Sequence, residues 1–286
     1  MNSLKDKVAD VTDAMYVILG ASGNTGSIIT NSLLLKGEKV RVVGRDVARL
    51  QRFERKGAEV FTGELSNAAA LTKAFDGARA AYLMLPPITS REDQERQSDA
   101  ITKAVKESGL RYAVHLSSYG AHVAEGTGPV AGLHSSEQKL NAINGLHVLH
   151  LRAAYFMENN LEAIGMIHAM GVFGHALLPL PMIATPDVGD YAAHRLLPMP
   201  RAISAVTSAI ERSRSQFPYD QVQQVLTQMG IPPKKAAVYI EMFRAINAGV
   251  LAALEPRSPE NTTPTSFEKF VQDVFAPAYR AKAVSA

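Results

Sequence analysis

The chain has 286 residues, 47% of them hydrophobic and 20% charged, a balance that suits a folded protein with a large core and excludes a disordered one. Its formal net charge is +3, and no run of lysine or arginine concentrates it, so direct nucleic-acid binding is not implied and an anionic cofactor is enough to account for it. The chain has no cysteine, which removes disulfides, thiolate nucleophiles and cysteine-held metals and fits a cytoplasmic protein.

Residues 1–13 read as a polar extension without the apolar core of a signal peptide, and no stretch approaches the roughly 18 apolar residues of a membrane span. The first convincing strand is Met15–Leu19, a short apolar run bounded by glycine, as in a buried parallel strand. Gly20-Ala21-Ser22-Gly23-Asn24-Thr25-Gly26 follows, and then a helix runs to about Lys36. Glycines at the first, fourth and seventh positions allow a tight turn, a close approach of backbone to a pyrophosphate, and close packing of helix on strand. The N–H groups at the start of that helix, around Ser22, Asn24 and Thr25, would face the phosphates, with the helix dipole favouring their charge.

The pattern then repeats. Strands are expected at Lys39–Val43, Glu59–Phe61, Ala80–Leu85, Tyr112–Leu116 and His147–Leu151. Helices are expected at Val47–Lys56, Asn67–Phe75, Arg91–Glu107 and Leu133–Asn144. This alternation predicts an α/β fold, a doubly wound parallel sheet of the Rossmann type, with ligands beyond the carboxyl ends of the strands. Beyond Leu151 the alternation fades. Helices are expected at Met157–Met170, Val188–Leu197, Tyr219–Gln228, Lys234–Leu254 and Ser266–Val274, which make a smaller, mostly helical C-terminal lobe. The division is therefore an extension over 1–13, a nucleotide-binding domain over 14–155, and a helix-rich substrate lobe over 156–286, some of whose segments return to the first domain.

The exit of the second strand, Val43-Gly44-Arg45, bears on the choice of nucleotide. An acidic residue there would accept hydrogen bonds from a ribose 2′-hydroxyl, whereas Gly44 offers no carboxylate and Arg45 supplies a planar donor fork for a 2′-phosphate. NADP(H) is expected over NAD(H), with Asp46 as the N-cap of the next helix. Glu64 and Leu65 after the third strand are placed to border the adenine, and Leu85, Pro86 and Pro87 after the fourth to line the cofactor ribose.

Ser117 and Ser118, after the fifth strand, invite a search for the Tyr-x-x-x-Lys acid/base pair of short-chain dehydrogenases. None of the nine tyrosines has a lysine four residues later; at that spacing Lys139 is preceded by Ser135, a far weaker acid than a phenol. The candidates that remain are Tyr119, in the loop where a side chain can reach the nicotinamide, His134, able to donate a proton near neutral pH, and Glu137. His147 and His150 are three apart on a strand, hence on opposite faces, and cannot chelate one metal; no metal site is expected.

Together these segments resemble the NmrA-like group of atypical short-chain dehydrogenase/reductases. The resemblance rests on GASGNTG (20–26), VRVVGRD (40–46), GELSN (63–67), HLSSYGA (115–121), LRAAYFMENN (151–160), PDVGDYAA (186–193) and RSPENTTPTSFEKFV (257–271). It implies an NADP-binding Rossmann domain and a C-terminal lobe that forms a cleft. It also implies that the loops after the fifth and sixth strands border the nicotinamide, with Ser117, Ser118, Tyr155, Phe156, Glu158 and Asn159. Two departures stand out: Ala153 where the family usually has proline, and residues 198–216, a basic stretch whose one acid is Glu211, where the family has a strand and a glycine turn.

Three functions follow as expectations. The first is an NADPH-dependent reductase of quinones or similar small apolar acceptors, in which water protonates the reduced oxygen. The second is a nucleotide-sensing regulatory protein with a protein partner and little turnover. The third, a sugar-nucleotide epimerase or dehydratase, is disfavoured by the missing tyrosine–lysine pair. No membrane association is expected, and a monomer and a homodimer are both open.

Overall fold

The computed structural model describes residues 14–86, 90–170, 174–175, 181–197, 215–216, 218–228, 230–251 and 262–284. The first half alternates strand and helix without interruption: β1 (Met15–Leu19), α1 (Asn24–Leu35), β2 (Lys39–Gly44), α2 (Val47–Glu54), β3 (Glu59–Thr62), α3 (Ala68–Phe75), β4 (Ala78–Leu83), α4 (Arg91–Ser108), β5 (Tyr112–Ser118), α5 (Pro129–Asn141) and β6 (His147–Ala153). The six strands are parallel in the order β3-β2-β1-β4-β5-β6. The winding reverses between β1 and β4, so a crevice opens at the carboxyl ends of those two strands.

Each strand feeds both faces of the sheet with alternate residues. Tyr16, Ile18, Val42 and Tyr82 point to the side covered by α1 and α2, against Ile29, Leu33, Leu50 and Phe53. Val17, Leu19, Val43 and Leu83 point to the other side, against Leu71, Phe75, Ile101 and Leu140 of α3, α4 and α5. This double burial is why the strands read as continuous apolar runs rather than as alternating ones.

Several boundaries differ from expectation for local reasons. Helix α5 begins at Pro129 instead of Leu133, because proline has a helix-compatible φ and no N–H to leave unpaired at that position. Strand β4 runs Ala78–Leu83 instead of reaching Leu85: its pairing with β1 ends at Ile18↔Tyr82, after a register shift between Met15 and Tyr16. The segment expected as one helix over 157–170 is a 3-10 turn (Met157–Ala163) followed by α6 (Ile164–Met170).

Short strands β7 (Tyr155–Phe156), β8 (Gly174–His175), β9 (Met182–Ile183) and β10 (Ser215–Gln216) pair as β7 with β9 and β8 with β10. Between and after them come α7 (Thr185–Leu196), α8 (Tyr219–Gln228), α9 (Pro233–Asn247), α10 (Phe267–Phe270), a π-helical turn (Val271–Phe275) and α11 (Ala276–Val284). Helix α9 stops at Asn247, seven residues short of the expected end, in a turn whose Gly249 has φ +72°. Met157, Met182, Ile240, Phe243 and Phe270 form the core of the C-terminal part. The divergent stretch 198–216 lies outside the described residues except for β10. Among the described residues no helix is long and apolar enough to cross a membrane.

Helix α7 lies late in the chain yet packs on the sheet: Ala192, Ala193 and Leu196 belong to the same cluster as Ile18 and Ile29. It approaches α1 at Gly189, where a Cβ would come 2.6 Å from the Cβ of Ile28. Gly189→Ala is therefore expected to destabilise by about 1–3 kcal/mol through overpacking, although the same change in an open helix gains about 1 kcal/mol. Thermal denaturation decides the sign, and a stabilised variant would contradict this packing.

Candidate functional site

At the crevice, the first glycine of the turn has φ +66°, and a Cβ there would also meet Sδ of Met84 at 2.8 Å, so Gly20 is constrained by both backbone and space. The N–H of Gly23 donates to the carbonyl of Gly20 at 2.9 Å, which closes the turn. A Cβ at Gly26 would lie 2.3 Å from that same carbonyl oxygen, so α1 rests directly on the turn. Helix α1 opens without a side-chain cap and without an acidic residue in its first turn, and Gly23 and Asn24 are exposed. Its N-terminal N–H groups thus meet no competing acceptor from a capping side chain, and the donor set fits a pyrophosphate. The hydroxyl of Thr25 is turned inward instead, 2.9 Å from that of Tyr82 on β4.

The exit of β2 lies beside this turn. Arg45 is exposed, and Asp46 caps α2 by accepting from the N–H of Arg49 at 3.2 Å, as its position predicts. Arg52, a residue the sequence reading passed over, extends from α2 toward the turn, its Nη2 3.5 Å from the carbonyl oxygen of the half-buried Ser22. The β3 exit is held to β2 by the N–H of Gly63 on the carbonyl of Gly44, and it leaves Glu64 exposed with Leu65 half-buried. After β4 the side chain against the glycine turn is Met84; Leu85 is buried on the α3–α4 side, Pro86 is half-buried, and Pro87 lies outside the described residues.

At the end of β5 the polar side chains are already engaged. Ser117 is buried and donates to Glu137 of α5 at 2.5 Å, while Ser118 donates to the carbonyl of Tyr119. Glu137 also takes a two-pronged ion pair from Arg152 on β6, at 3.0 Å from Nε and 2.5 Å from Nη2. Burial pushes the Glu137 carboxyl up, but hydrogen bonds from Arg152 and Ser117 outweigh it and hold the group below its ordinary value. Glu137 is therefore an ion-pair partner and not a proton donor.

Tyr119 hydrogen-bonds through its hydroxyl to the carbonyl of Leu251, beyond α9, and burial raises its pKa. His134 donates from Nδ1 to the carbonyl of Ala121 at 2.8 Å, which fixes its tautomer when neutral. Ser135 and Lys139, the pair at the spacing of a tyrosine and its lysine, both bind Glu95 on α4, at 2.9 and 2.7 Å, and Lys139 also binds Asp99. That pair faces α4. The loop after β5 is clasped from above: a Cβ at Gly120 would meet Leu251 at 2.3 Å, and one at Gly128 would meet the carbonyl of Val238 in α9 at 2.3 Å.

After β6, Tyr155 and Phe156 form β7, Asn159 is exposed, and Phe156 packs with Val188 and Leu151. Glu158 accepts from the N–H of Thr185 with both oxygens, 3.0 and 3.1 Å away, and so serves the start of α7. Asp187 accepts from the N–H and hydroxyl of Thr265, tying α7 to the C-terminal segment. A cavity of about 460 Å³ lined by Tyr112, His147, Leu149, Arg195 and Leu196 lies at the opposite, amino-terminal end of β5 and β6, away from the crevice.

The sequence profile of a family described as NAD(P)H-binding matches residues 20–163. An oxidoreductase, ordB, of Dothistroma septosporum is 33% identical over 95 residues, 29% of this chain and 36% of that protein. A (4-alkanoyl-5-oxo-2,5-dihydrofuran-3-yl)methyl phosphate reductase of Streptomyces griseus is 26% identical over 179 residues, 63% of this chain and 61% of that protein. The matches thus span less than two thirds of either relative. Among solved structures, an NADPH-dependent quinone oxidoreductase of Escherichia coli complexed with NADPH superposes with a TM-score of 0.74 at 19% identity, covering 91% of this chain and 100% of that one.

The contact between Gly26 and Gly20 makes a direct prediction. Gly26→Ala has only backbone to push against, so it should weaken NAD(P)H binding at least tenfold and lower stability by about 1–3 kcal/mol. Fluorescence titration with NADPH checks it, and unaltered binding would contradict the turn's assignment to the phosphates.

Proposed function

The chain belongs to the NAD(P)H-binding family, and from that premise we propose that it is an NADPH-dependent reductase of quinone-like or similar small apolar acceptors, of the NmrA-like kind. The observation that carries this reading is the engagement of most candidate proton donors near the β5 exit, with His134 held through Nδ1 alone by the carbonyl of Ala121. Tyr119 is bonded to Leu251, Ser135 and Lys139 to Glu95, and Glu137 to Arg152. Reduction of a simple carbonyl calls for an acid at the oxygen, whereas a reduced quinone takes its proton from water. Bound across the crevice, the nicotinamide supplies a hydride, and the products are the hydroquinone and the oxidised nucleotide.

The protein's part in this reading is to hold donor and acceptor together. The glycine turn and the start of α1 bind the pyrophosphate. Arg45 takes the 2′-phosphate beside Gly44, which supports NADP(H) over NAD(H). The clasp of α9 on the loop after β5 forms the wall of the acceptor site and fixes the apolar side chains that exclude water. The quinone oxidoreductase and the reductase that the chain resembles support the reaction class. The same shortage of free acids favours a second reading, a cytoplasmic nucleotide sensor that binds NADP(H) without turnover and acts on a protein partner.

Consumption of NADPH by the purified protein with a panel of quinones separates the two, with NADH in parallel. Turnover with NADPH and little with NADH is expected; tight NADPH binding without turnover would leave the sensor. Arg45→Ala should weaken NADPH binding by about 1.5–3 kcal/mol, the range of a lost charge-assisted hydrogen bond, and leave NADH binding unchanged. Tyr119→Phe should change the rate only modestly, and a total loss would make Tyr119 a proton donor.

A further inference from the structure

One layer below Ser117, in the seam between β5, β6 and α5, lies a polar cluster that the proposed reaction does not use. His115 stands opposite His150 in the β5–β6 register, and their Nδ1 atoms are 3.0 Å apart with the rings nearly perpendicular. The other nitrogen of His115 is 3.4 Å from the hydroxyl of Ser136, and that of His150 is 3.0 Å from Oδ1 of Asn141. His115 is only 1% exposed.

These contacts have one consistent direction when both rings are neutral. Oδ1 of Asn141 can only accept, so His150 carries its proton on Nε2 and offers a lone pair at Nδ1. His115 must then donate from Nδ1 and accept at Nε2 from Ser136. The result is a single chain of donors from α5 through β5 and β6 and back to α5, with one proton between the two imidazoles. The neighbouring layer carries the charges that face it: Glu137 from α5 and Arg152 from β6. On the remaining sides, β4 sets Leu83 opposite His115 and Lys139 is drawn away to Glu95 and Asp99 on α4.

We propose that the Ser136–His115–His150–Asn141 chain is a one-proton switch: neutral, it fastens β6 and α5 to β5, and proton uptake by the pair loosens β6 toward the carboxyl end of the sheet. An imidazolium has two N–H groups and no lone pair, so two charged rings would aim hydrogens at each other across 3.0 Å. One added proton on His150 can be met only if His115 reverses its tautomer toward Ser136, and it puts a charge into a desolvated seam. Burial is the largest influence on both rings and lowers both, His115 to about 3; Glu137 opposes it, and Arg152 adds to it at His150. An opened seam returns the rings to about their ordinary value of 6.5. The open form therefore binds protons more tightly, and the closed seam loses stability as pH falls below that value.

The test uses the full chain and no substrate. Protection factors of backbone amides are measured by hydrogen exchange from about pH 7.5 to about pH 5, across the ordinary histidine range. Protection in β6 should fall below about pH 6.5, by up to about tenfold per pH unit for each ring that gains a proton on opening, while β1 keeps its protection. His150→Gln should lessen the β6 slope, leaving the share that belongs to His115. Equal losses in β1 and β6, or no slope in β6, would overturn the proposal. Should His150→Gln fail to fold, ring nitrogen spectra of the unaltered chain at about pH 7.5 decide instead: one Nδ1 proton across the pair supports the switch, and two separate Nδ1 protons refute it.

Discussion

Because Gly26 has no side chain, α1 comes down onto the carbonyl of Gly20, and most of the molecule's geometry follows from that contact. It sets the helix close enough to β1 for Ile29 and Leu33 to reach the same core as Tyr16 and Ile18. It aims the uncapped N–H groups of α1 at the crevice where the sheet reverses its winding. Helix α7 then packs beside α1 through Gly189, where again the absence of a side chain permits the approach. Binding and packing are thus served by the same backbone approach. A methyl group at Gly26 would disturb both.

The second half of the sheet is organised differently. Between β5, β6 and α5 the apolar filling gives way to two polar layers, Ser117–Glu137–Arg152 and His115–His150 with Ser136 and Asn141. Each layer is hydrogen-bonded across all three elements, which offsets the cost of burying it. The consequence reaches the site. Groups that could have served as acids are consumed in holding β6 and α5 in place, and the lobe above is fastened to the β5 loop through Tyr119, Gly120 and Gly128. In the proposed reaction this architecture would position a cofactor and an acceptor wall and leave proton delivery to water.

The parallel sheet was legible because its signals are local: apolar runs of strand length, glycines at fixed spacing, and N-caps such as Asp46 and Asn67 whose side chains accept from the residue three ahead. The glycine turn between β1 and α1 was legible for the same reason. What the sequence withheld was contact at long separation. Nothing near Tyr119 in the chain foretells Leu251, and nothing near Asp187 foretells Thr265. The direction of a helix face was equally hidden: the spacing of Ser135 and Lys139 does not tell that both turn to α4. The seven-residue misplacement at the end of α9 arose where a left-handed glycine, Gly249, closes a helix that the apolar pattern continues.

The most direct test of the account is the deuterium sensitivity of NADPH oxidation by a quinone, measured once with deuterium at nicotinamide C4 and once in heavy water. Hydride transfer without a side-chain acid predicts a slower reaction with the labelled cofactor and an unchanged one in heavy water. A solvent effect as large as that of the label would contradict the account, since a proton donor would then be moving in the same step.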